Sequence, residues 1–529
     1  MKYINKLFVL LLVGVLVTFS ACESYMEGLN VDKKALTTED LQRDAKDVGA
    51  FIAPMMRNIR IISPEWQYQL QQNLNADIYS GYMMSASPFA NANNPQYQMN
   101  DGWNGFIYSV TANNVMSVYL DLTKKGAAEK YPDLYAIVTI LKVIAMHRLV
   151  DTFGPMPYTE YGQANAKFDS EEQAYNQFFI DLKEAVDVLT EYENDDANFD
   201  ARFAPFDAST FNGDYEKWIQ LANSLRLRLA MRISNVNATK AKTEAEAAIN
   251  QEYGVLESGD FSITHTFNNP LGVISGGWND ILMGAPMESI LGGYDDPRLS
   301  KFFLPATGSG VEGQFKGIRN GVEVGTDKTK YIGYSLLNVK NSDAVLLMPA
   351  AETHFLRAEA ALKGWNAGGT AQSFYESGIA ASFDQHGVNL GNYLSRTNKP
   401  MEYIDTKDDG NSVKTGNSLL STASIAWSDA STNAERFEKI YTQKWIALFP
   451  EGLEAWSEFR RTGYPKLFSV VINRSGGDVP NGEFISRIPY PTAITSSNPT
   501  ASQTAIDSYL GGKNSAGTKL WWDVNEQTK

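Results

Sequence analysis

The side chain with the clearest chemistry in this sequence is the thiol of Cys22, the only cysteine among 529 residues. It directly follows a leader that carries Lys2 and Lys6, an apolar stretch over residues 7–17, and the tripeptide at residues 19–21. A positive start, a short apolar core and small residues before a cut are typical of a secretory signal peptide. A cysteine directly after the small residues matches a bacterial lipobox, in which the thiol receives a diacylglycerol before cleavage. We therefore predict lipidation at Cys22; the alternative is an ordinary signal peptide with a chance cysteine.

The leader and the composition define the kind of protein that follows. The apolar stretch is shorter than the roughly 20 residues of a membrane-spanning helix, so the predicted attachment is through lipid. If lipid occupies the thiol, no disulfide can form and the exported chain depends on its core. A formal charge of −15 argues against electrostatic binding of nucleic acid. An aromatic content of 12 % with many Asn and Gly favours neutral polar ligands such as sugars, although most single aromatic residues belong to a core.

No arrangement of side chains predicts an enzyme. A glycosidase needs two carboxylates that flank the scissile bond, and no pair of acids stands out. Asp295 and Asp296 are adjacent and precede a turn at Pro297, so they do not converge on one substrate. The sequence has no nucleophile elbow and no HExxH motif, and its four histidines are scattered. We predict no catalytic residue and no cofactor; polar loops leave room for a structural calcium ion, but no EF-hand pattern indicates one.

Helical periodicity predicts the elements that must position any binding residues. It indicates four helix pairs, at about residues 103–150, 171–234, 352–383 and 434–461. Ser170 and Gln173 form a capping box at the start of the second pair. Residues 255–345 and 386–432 lack this period and are rich in turn residues, so we predict irregular structure with a few short strands. The segment 81–102 is predicted as a long loop, and loops of this length are usually functional or disordered.

One helix pair has the spacing of a tetratricopeptide repeat. Ala371, Tyr375 and Gly378 provide a small, an aromatic and a small residue at offsets that let two helices approach closely. The alternative is any antiparallel helix pair. No tandem repeat of about 34 residues is present, so a plain solenoid is excluded. A pure interaction scaffold is also a poor match, because the loops between the pairs are too long and too rich in aromatic residues.

Six short sequence segments occur in a fixed order along the chain, and their order is more informative than any single segment. They are residues 148–158, 218–232, 296–299, 352–360, 438–445 and 487–491, followed by Asn498. Together with the lipobox, these segments resemble the SusD/RagB family of outer-membrane lipoproteins from Bacteroidetes, in particular its SusD-like subgroup. Three arginines of the second segment, Arg226, Arg228 and Arg232, lie on an otherwise apolar helix. Because a buried guanidinium without a partner is costly, we expect these arginines, like Arg298, to hold the scaffold together.

The resemblance implies both a fold and a function. The fold is mainly α-helical, with four tetratricopeptide-like helix pairs and an irregular, loop-rich region with short strands that carries the ligand. It implies a signal peptide over residues 1–21, a lipidated tether over residues 22–40 and one domain over residues 41–529. The implied function is that of a non-catalytic lipoprotein on the outer face of the outer membrane. It binds a glycan and delivers it to a SusC-like TonB-dependent barrel; the alternatives are a peptide-binding protein of the RagB type and a surface glycoside hydrolase.

Ligand residues in this family lie on variable loops, so the sequence only nominates them. The loop 81–102 contains Tyr82 and Tyr97 beside several asparagines, and the irregular segment contains Trp278 and Asn279 after two glycines. An indole in a glycine-flanked loop is either buried or displayed for a ligand. We therefore predict these four residues as ligand contacts. In contrast, Trp103 and Trp218 occupy helix-face positions and are predicted to be core.

Overall fold

The computed structural model describes residues 45–89, 92–195 and 202–525. The chain divides into two compact units, residues 1–47 and 48–529. The predicted signal peptide, Cys22 and the tether lie outside the described residues. Within the described ranges, no helix is both long enough and apolar enough to cross a membrane.

The second unit contains all the helices of eight or more residues in the described ranges. They are α1 (Ile52–Ile59), α2 (Asp101–Lys124), α3 (Pro132–Phe153), α4 (Glu171–Glu193), α5 (Tyr215–Arg232), α6 (Ala238–Ile249), α7 (Ala285–Tyr294), α8 (Ala350–Leu362), α9 (Ala371–Gln385), α10 (Asn433–Leu448), α11 (Gly452–Thr462) and α12 (Pro499–Tyr509). Short helical segments are Lys46–Gly49, Glu65–Tyr68, Ala76–Tyr79, Ala127–Lys130, Leu299–Phe302 and Thr492–Ser497. Two π-turns are Gln69–Asn73 and Gly272–Gly277, and single 3₁₀ turns are Asn94–Gln96, Ala204–Phe206, Tyr393–Ser395, Asp409–Asn411 and Trp427–Asp429.

The four predicted helix pairs are confirmed. The pairs are α2 with α3, α4 with α5, α8 with α9, and α10 with α11, and the members of each pair pack against each other. Helix α4 begins at the predicted capping box: the Gln173 backbone N–H donates to Ser170 Oγ at 3.1 Å, and the Ser170 N–H donates to Gln173 Oε1 at 2.9 Å. These two bonds satisfy N–H groups that a helix start otherwise leaves without partners.

The close approach of α8 and α9 depends on a glycine. A methyl group on Gly378 would lie 2.8 Å from the ring of Phe355, so only a residue without a Cβ fits. One turn earlier, the buried Tyr375 donates its hydroxyl to the carbonyl of Ile425 at 2.7 Å. Gly378 and Tyr375 of the predicted repeat are therefore packed as their spacing indicates, whereas Ala371 is only partly buried.

The irregular region contains more helix than the sequence predicted. Helix α7 lies within residues 255–345, where Pro286 and the pair Gly292-Gly293 conceal its periodicity. Proline is tolerated here because it occupies the first turn, whose N–H groups have no helical partner. Two short strands lie within this region as predicted, β2 (Phe261–Ile263) and β3 (Ile281–Met283), and β4 (Val345–Met348) begins at its last residue. A further strand, β1 (Met83–Ser85), lies in the segment 81–102, where a loop was predicted. These strands form two antiparallel ribbons, β1 with β3 and β2 with β4.

A buried ionic cluster joins the helix pairs, and Arg232 at the end of α5 is its centre. The Arg232 side chain is fully buried. Its Nη2 donates to both carboxylate oxygens of Glu454 at 2.7 Å, and its Nε donates to Asp151 Oδ2 at 3.2 Å. Its Nη1 also pairs with Glu458. One guanidinium therefore ties α5 to α3 and to two turns of α11.

Further pairs extend this ionic cluster to α8 and α10. Arg228 Nε donates to Glu352 Oε1 of α8 at 2.8 Å. The other pairs are Arg461 with Glu359 at 2.7 Å and Lys444 with Glu458 at 3.0 Å. Near the cluster, Arg226 donates to Glu244 of α6 at 2.7 Å. The prediction that these arginines find acceptors and hold the scaffold is confirmed, and the same holds for Arg298, which pairs with Asp296 at 2.7 Å.

Replacing Arg232 by methionine should destabilise the protein strongly. Arg232→Met keeps much of the side-chain volume but leaves the carboxylates of Asp151, Glu454 and Glu458 buried without their shared counter-charge. Loss of one member of a buried ion pair costs about 3–5 kcal/mol of unfolding free energy, measured here by denaturant titration. The control is Lys183→Met, which removes an exposed pair with Asp187 on α4 and should change stability little. A loss of less than about 1 kcal/mol in Arg232→Met would contradict the role of the cluster.

Burial also affects a single carboxyl group at the start of α4. Glu171 is almost fully buried, and this burial raises the pKa of its carboxyl from the ordinary 4.5 to about 7, although the Trp521 N–H donates to its Oε1 at 3.1 Å. The folded protein therefore holds a proton between these two pH values that the unfolded chain has released. The free energy of unfolding consequently falls as the pH rises through this window.

Glu171→Gln should remove that loss of stability while keeping an acceptor for Trp521. We expect the variant to be more stable than the wild type above pH 7, by at most about 3 kcal/mol, with a difference that shrinks towards pH 5. Thermal or denaturant unfolding at a series of pH values measures this. The neighbouring Glu172 is exposed, so Glu172→Gln is the matched control and should run parallel to the wild type. A parallel profile for Glu171→Gln itself would show that the carboxyl is not desolvated.

Candidate functional site

The β1–β3 ribbon brings two distant segments to one place. Met84 pairs with Leu282, and just beyond the ribbon the Ala86 N–H donates to the Asp280 carbonyl at 2.8 Å. The predicted loop 81–102 is therefore fixed against the irregular segment that contains Trp278. This pairing positions the residues between the π-turn Gly272–Gly277 and β3.

Trp278 is the first residue after that π-turn, and its backbone is well held. Its N–H donates to the Val273 carbonyl at 2.9 Å, and the Asn279 N–H donates to the Ser275 carbonyl at 3.2 Å. Asn279 has a φ of 53°, a left-handed conformation that asparagine tolerates better than most residues. The preceding glycines cannot cover the indole, and 38 % of Trp278 is exposed.

The side chain of Lys328 also holds the backbone of Trp278 in place. Lys328 Nζ donates to the Trp278 carbonyl at 3.0 Å and also pairs with the carboxylate of Asp280. The second oxygen of Asp280 accepts a hydrogen bond from Gln69 Nε2 at 2.8 Å. Three separate parts of the chain therefore meet under Trp278 and hold its backbone in place.

Around Trp278 lies a pocket of about 490 Å³, here called the aromatic pocket, whose wall is exposed and apolar. Leu304 and Ile332 are also lining residues, with 41 % and 69 % of their surfaces exposed. Large apolar side chains exposed together, rather than singly, are typical of binding surfaces. The wall can therefore cover an apolar face of a ligand.

Two tyrosines line the aromatic pocket with their hydroxyl groups already engaged. Tyr331 donates to Asp405 Oδ2 at 2.8 Å, and the hydroxyl of Tyr334 lies 2.6 Å from Thr406 Oγ1. The two rings meet edge to face with centroids 5.1 Å apart. Both tyrosines are almost fully buried, so they support the pocket wall from the core and offer no free hydrogen-bonding group to a ligand.

Polar groups for a ligand come from the rim. Asn279, Thr307 and Asp327 line the pocket with exposed side chains. The Thr329 hydroxyl and N–H both donate to Asp327 Oδ1, and these bonds hold the pKa of that carboxyl below its usual range. At neutral pH the rim therefore presents an amide, a hydroxyl and one carboxylate, a set that suits hydroxyl groups.

Two of the four predicted ligand residues were wrong. Tyr82 is fully buried: its hydroxyl donates to the Trp445 carbonyl, and its ring packs 4.9 Å from the indole of Trp445. Tyr97 is 5 % exposed and packs edge-on to Tyr79, with ring centroids 6.2 Å apart. Pairing of β1 with β3 draws this segment into the core, so its tyrosines face inward. Trp278 and Asn279 are together in the aromatic pocket, and their contact with a ligand stays a prediction.

The sequence analysis missed most of the other residues that line the pocket. Leu304, Lys328 and the stretch 331–334 were not singled out, although two tyrosines around an exposed isoleucine and a glycine were a usable signal. The core position predicted for Trp218 is confirmed, whereas Trp103 is only half-buried. A further exposed indole, Trp66, lies outside the pocket, 5.8 Å from the ring of Phe106.

Metal ligands do not cluster in the described ranges, where no group of three or more His, Cys, Asp or Glu side chains could hold an ion. Asp327 is the single carboxylate among the residues that line the aromatic pocket. The lining offers apolar contact, hydrogen bonding and the opposite charges of Asp327 and Lys328. The absence of a cofactor and the option of a structural calcium ion both stay predictions.

Known proteins match this chain over most of its length. Residues 28–523 match the family model described as SusD-like, the Susd and RagB outer-membrane lipoproteins. No functionally curated protein sequence matches the chain. The solved structures that match include a chitin-binding SusD homologue from Flavobacterium johnsoniae, 42 % identical with a TM-score of 0.86, over 91 % of this chain and 100 % of that one.

Two further relatives have the same fold over nearly the same length. A SusD homologue from Bacteroides vulgatus is 36 % identical with a TM-score of 0.86, over 92 % of this chain and 100 % of its own. A SusD homologue from Bacteroides uniformis is 34 % identical with a TM-score of 0.83, over 90 % of this chain and 99 % of its own. The predicted mainly α-helical, SusD-like fold is therefore confirmed. The chain belongs to the SusD/RagB family of outer-membrane lipoproteins.

Proposed function

We propose that this protein binds a glycan at the aromatic pocket and delivers it to a SusC-like TonB-dependent transporter. The observation that supports the proposal best is the joint exposure of Trp278, Leu304 and Ile332 around one pocket with a polar rim. A pyranose ring has C–H groups on its faces and hydroxyl groups at its edge. An indole can cover such a face while Asn279 and Thr307 bond the edge, because an amide and a hydroxyl both donate and accept hydrogen bonds.

Chitin oligosaccharides are the ligands to test first. The Flavobacterium johnsoniae homologue is described as chitin-binding, and it shares 42 % of its residues with this chain. N-acetylglucosamine adds an amide and a methyl group to the sugar ring, and these groups suit the mixed polar and apolar lining of the pocket. We therefore propose a polymer that contains N-acetylglucosamine as the ligand class.

The proposed function includes binding without cleavage. Hydrolysis of a glycosidic bond uses two carboxyl groups, about 5–10 Å apart, on either side of the bond. Asp327 is the one carboxylate that lines the pocket, and the nearby Asp280 is paired with Lys328. The adjacent acids Asp295 and Asp296 do not line the pocket, and Asp296 is buried in its pair with Arg298. On this proposal a bound oligosaccharide leaves the protein unchanged.

Removal of the indole should weaken glycan binding. Trp278→Ala deletes the largest apolar contact, and we expect affinity for chitohexaose to fall about 10- to 100-fold, the effect of losing a central aromatic contact. Calorimetry on the purified full-length protein measures this, and chromatography of the sugar after incubation should show no shorter products. Cellohexaose and maltohexaose complete the ligand panel.

The matched control is a second exposed tryptophan that does not line the pocket. Trp66 is 47 % exposed, so Trp66→Ala removes an equivalent side chain and should leave affinity unchanged. Equal affinities for Trp278→Ala and the wild type would contradict the assignment of the site. If no glycan binds the wild type, the peptide-binding alternative replaces the glycan proposal.

Delivery requires an anchor and a partner, both of which are part of the proposal. We propose that lipid on Cys22 holds the protein at the outer membrane, facing the cell exterior, beside a SusC-like barrel. The support is membership of a family of outer-membrane lipoproteins, matched over residues 28–523.

Mild detergent extraction of native membranes should yield the protein together with a TonB-dependent barrel. A tagged chain, purified by affinity and identified by mass spectrometry with its associated proteins, tests this. Cys22→Ser lacks the thiol that would carry the lipid, so it should leave the membrane fraction and define the background. Repeated recovery of the wild-type protein alone would contradict the partnership.

A further inference from the structure

A second pocket, of about 310 Å³ and here called the inner pocket, adjoins the aromatic pocket but has different lining residues. Phe302 and Asn338 line the inner pocket, whereas Leu304 and Leu336 line the aromatic pocket. The Asn338 N–H donates to the Phe302 carbonyl and the Leu304 N–H donates to the Leu336 carbonyl, each at 2.8 Å. The backbone segments 302–304 and 336–338 therefore run between the two pockets, and each segment contributes one residue to each pocket.

Two uncharged polar groups on the inner pocket have no protein partner. They belong to Gln385, the last residue of α9, and to His386, which follows it. Gln385 Oε1 and His386 Nε2 are buried, and neither is within hydrogen-bond distance of a partner among the described residues. Buried polar atoms are nearly always hydrogen-bonded, so each such atom needs an explanation.

The rest of the lining combines an aromatic wall with amide groups. The ring of Phe302 lies 4.6 Å from that of Phe449 and 4.8 Å from that of His386, measured between centroids. Asn269 and Asn338 also line the pocket. This is again an apolar surface facing polar groups, on a smaller scale than in the aromatic pocket.

Charge contributes little to the interior of the inner pocket. Arg60 lines it, and its charge is balanced because its Nη1 pairs with Glu451 at 2.9 Å and its Nη2 donates to Tyr68 at 2.6 Å; only its Nε–H has no partner among the described residues. Burial lowers the pKa of His386 to about 4, so its ring is neutral at pH 7. Lys301 and Asp343 carry opposite charges and are exposed at the surface. The groups left to bind a ligand inside the pocket are therefore the uncharged side chains of Gln385 and His386 and one N–H of Arg60, whose charge Glu451 already balances.

We propose that the inner pocket is a second binding site, for a small neutral molecule rich in hydroxyl groups such as a mono- or disaccharide. The hydroxyls of such a ligand would donate to Gln385 Oε1 and bond His386 Nε2, and its C–H groups would contact Phe302. The volume is at the lower end of the range for small-molecule pockets, which excludes a longer chain. This site does not depend on the aromatic pocket or on the proposed delivery function.

The test uses small sugars and variants that leave the aromatic pocket intact. Saturation-transfer NMR and calorimetry on the full-length protein, with N-acetylglucosamine, glucose and diacetylchitobiose as probes, should show saturable binding. Gln385→Met keeps the length of the side chain but removes the acceptor, and we expect affinity to fall about fivefold to tenfold. Ala344 is exposed where it lines the pocket, so Ala344→Phe should narrow the pocket and lower affinity at least tenfold without disturbing the core.

Two matched variants separate this site from the aromatic pocket and from general effects. Ala247 is an exposed alanine of α6 that does not line the pocket, and Ala247→Phe should bind small sugars like the wild type. Trp278→Ala should also retain that binding, even where it loses chitohexaose. One of the two variants Gln385→Met and Ala344→Phe is sufficient for the test, provided that it folds with an unchanged Tm and its affinity for small sugars can be compared with that of the wild type.

Several results would overturn the proposal. One is the absence of saturable binding of any small sugar, which would mean that the pocket holds water alone. Another is equal binding by the wild type and Ala344→Phe, or loss of binding in Trp278→Ala. Preferential binding of a zwitterionic amino acid would show that the exposed charges of Lys301 and Asp343 select the ligand, and that the assigned ligand class is wrong.

Discussion

The buried pairing of arginines with carboxylates is the constraint on which the rest of this structure depends. Arg232 alone contacts acidic groups from α3 and α11, and Arg228 and Arg461 extend the cluster to α8. A buried ion pair gains little over apolar packing, but an unpaired buried charge is very costly. Helix pairs that shifted relative to one another would leave several charges unpaired at once. The cluster therefore selects one arrangement of the pairs, whereas packing of their apolar faces would tolerate several.

A second group of buried ion pairs, around Glu451 directly before α11, leads to the exposed indole. Glu451 accepts hydrogen bonds from Arg148 and Arg60, each at 2.9 Å, and Arg60 in turn bonds Tyr68. The residue after Tyr68 is Gln69, which donates to Asp280 beneath Trp278. A binding surface on an irregular segment pays a large ordering entropy if that segment is free to move. Here the backbone around the indole is held by the core, so the proposed glycan would meet a surface that is already formed.

The sequence predicted what local periodicity and the cost of burying charge determine. The four helix pairs and the capping box at Ser170 follow from patterns within a few residues, and the need of Arg228 and Arg232 for acceptors follows from their positions on an apolar helix. The binding surface depends instead on contacts distant in sequence. Tyr82 was predicted at the surface because nothing near it indicates that β1 pairs with a strand almost two hundred residues away. Trp278 was nominated because its glycine neighbours are a local signal, whereas the partners of that indole come from segments that only the fold assembles.

Hydrogen–deuterium exchange on the full-length protein, with and without chitohexaose, tests most directly the claim that a rigid ionic scaffold displays a preformed glycan surface. The backbone around Arg232 should exchange slowly in both states, because opening it would unpair several buried charges. Bound sugar should slow exchange in residues 272–280 and 325–336 and leave the helix pairs unchanged. Slower exchange confined to the helix pairs, or rapid exchange around Arg232 without the ligand, would contradict the claim of a rigid scaffold with a preformed surface.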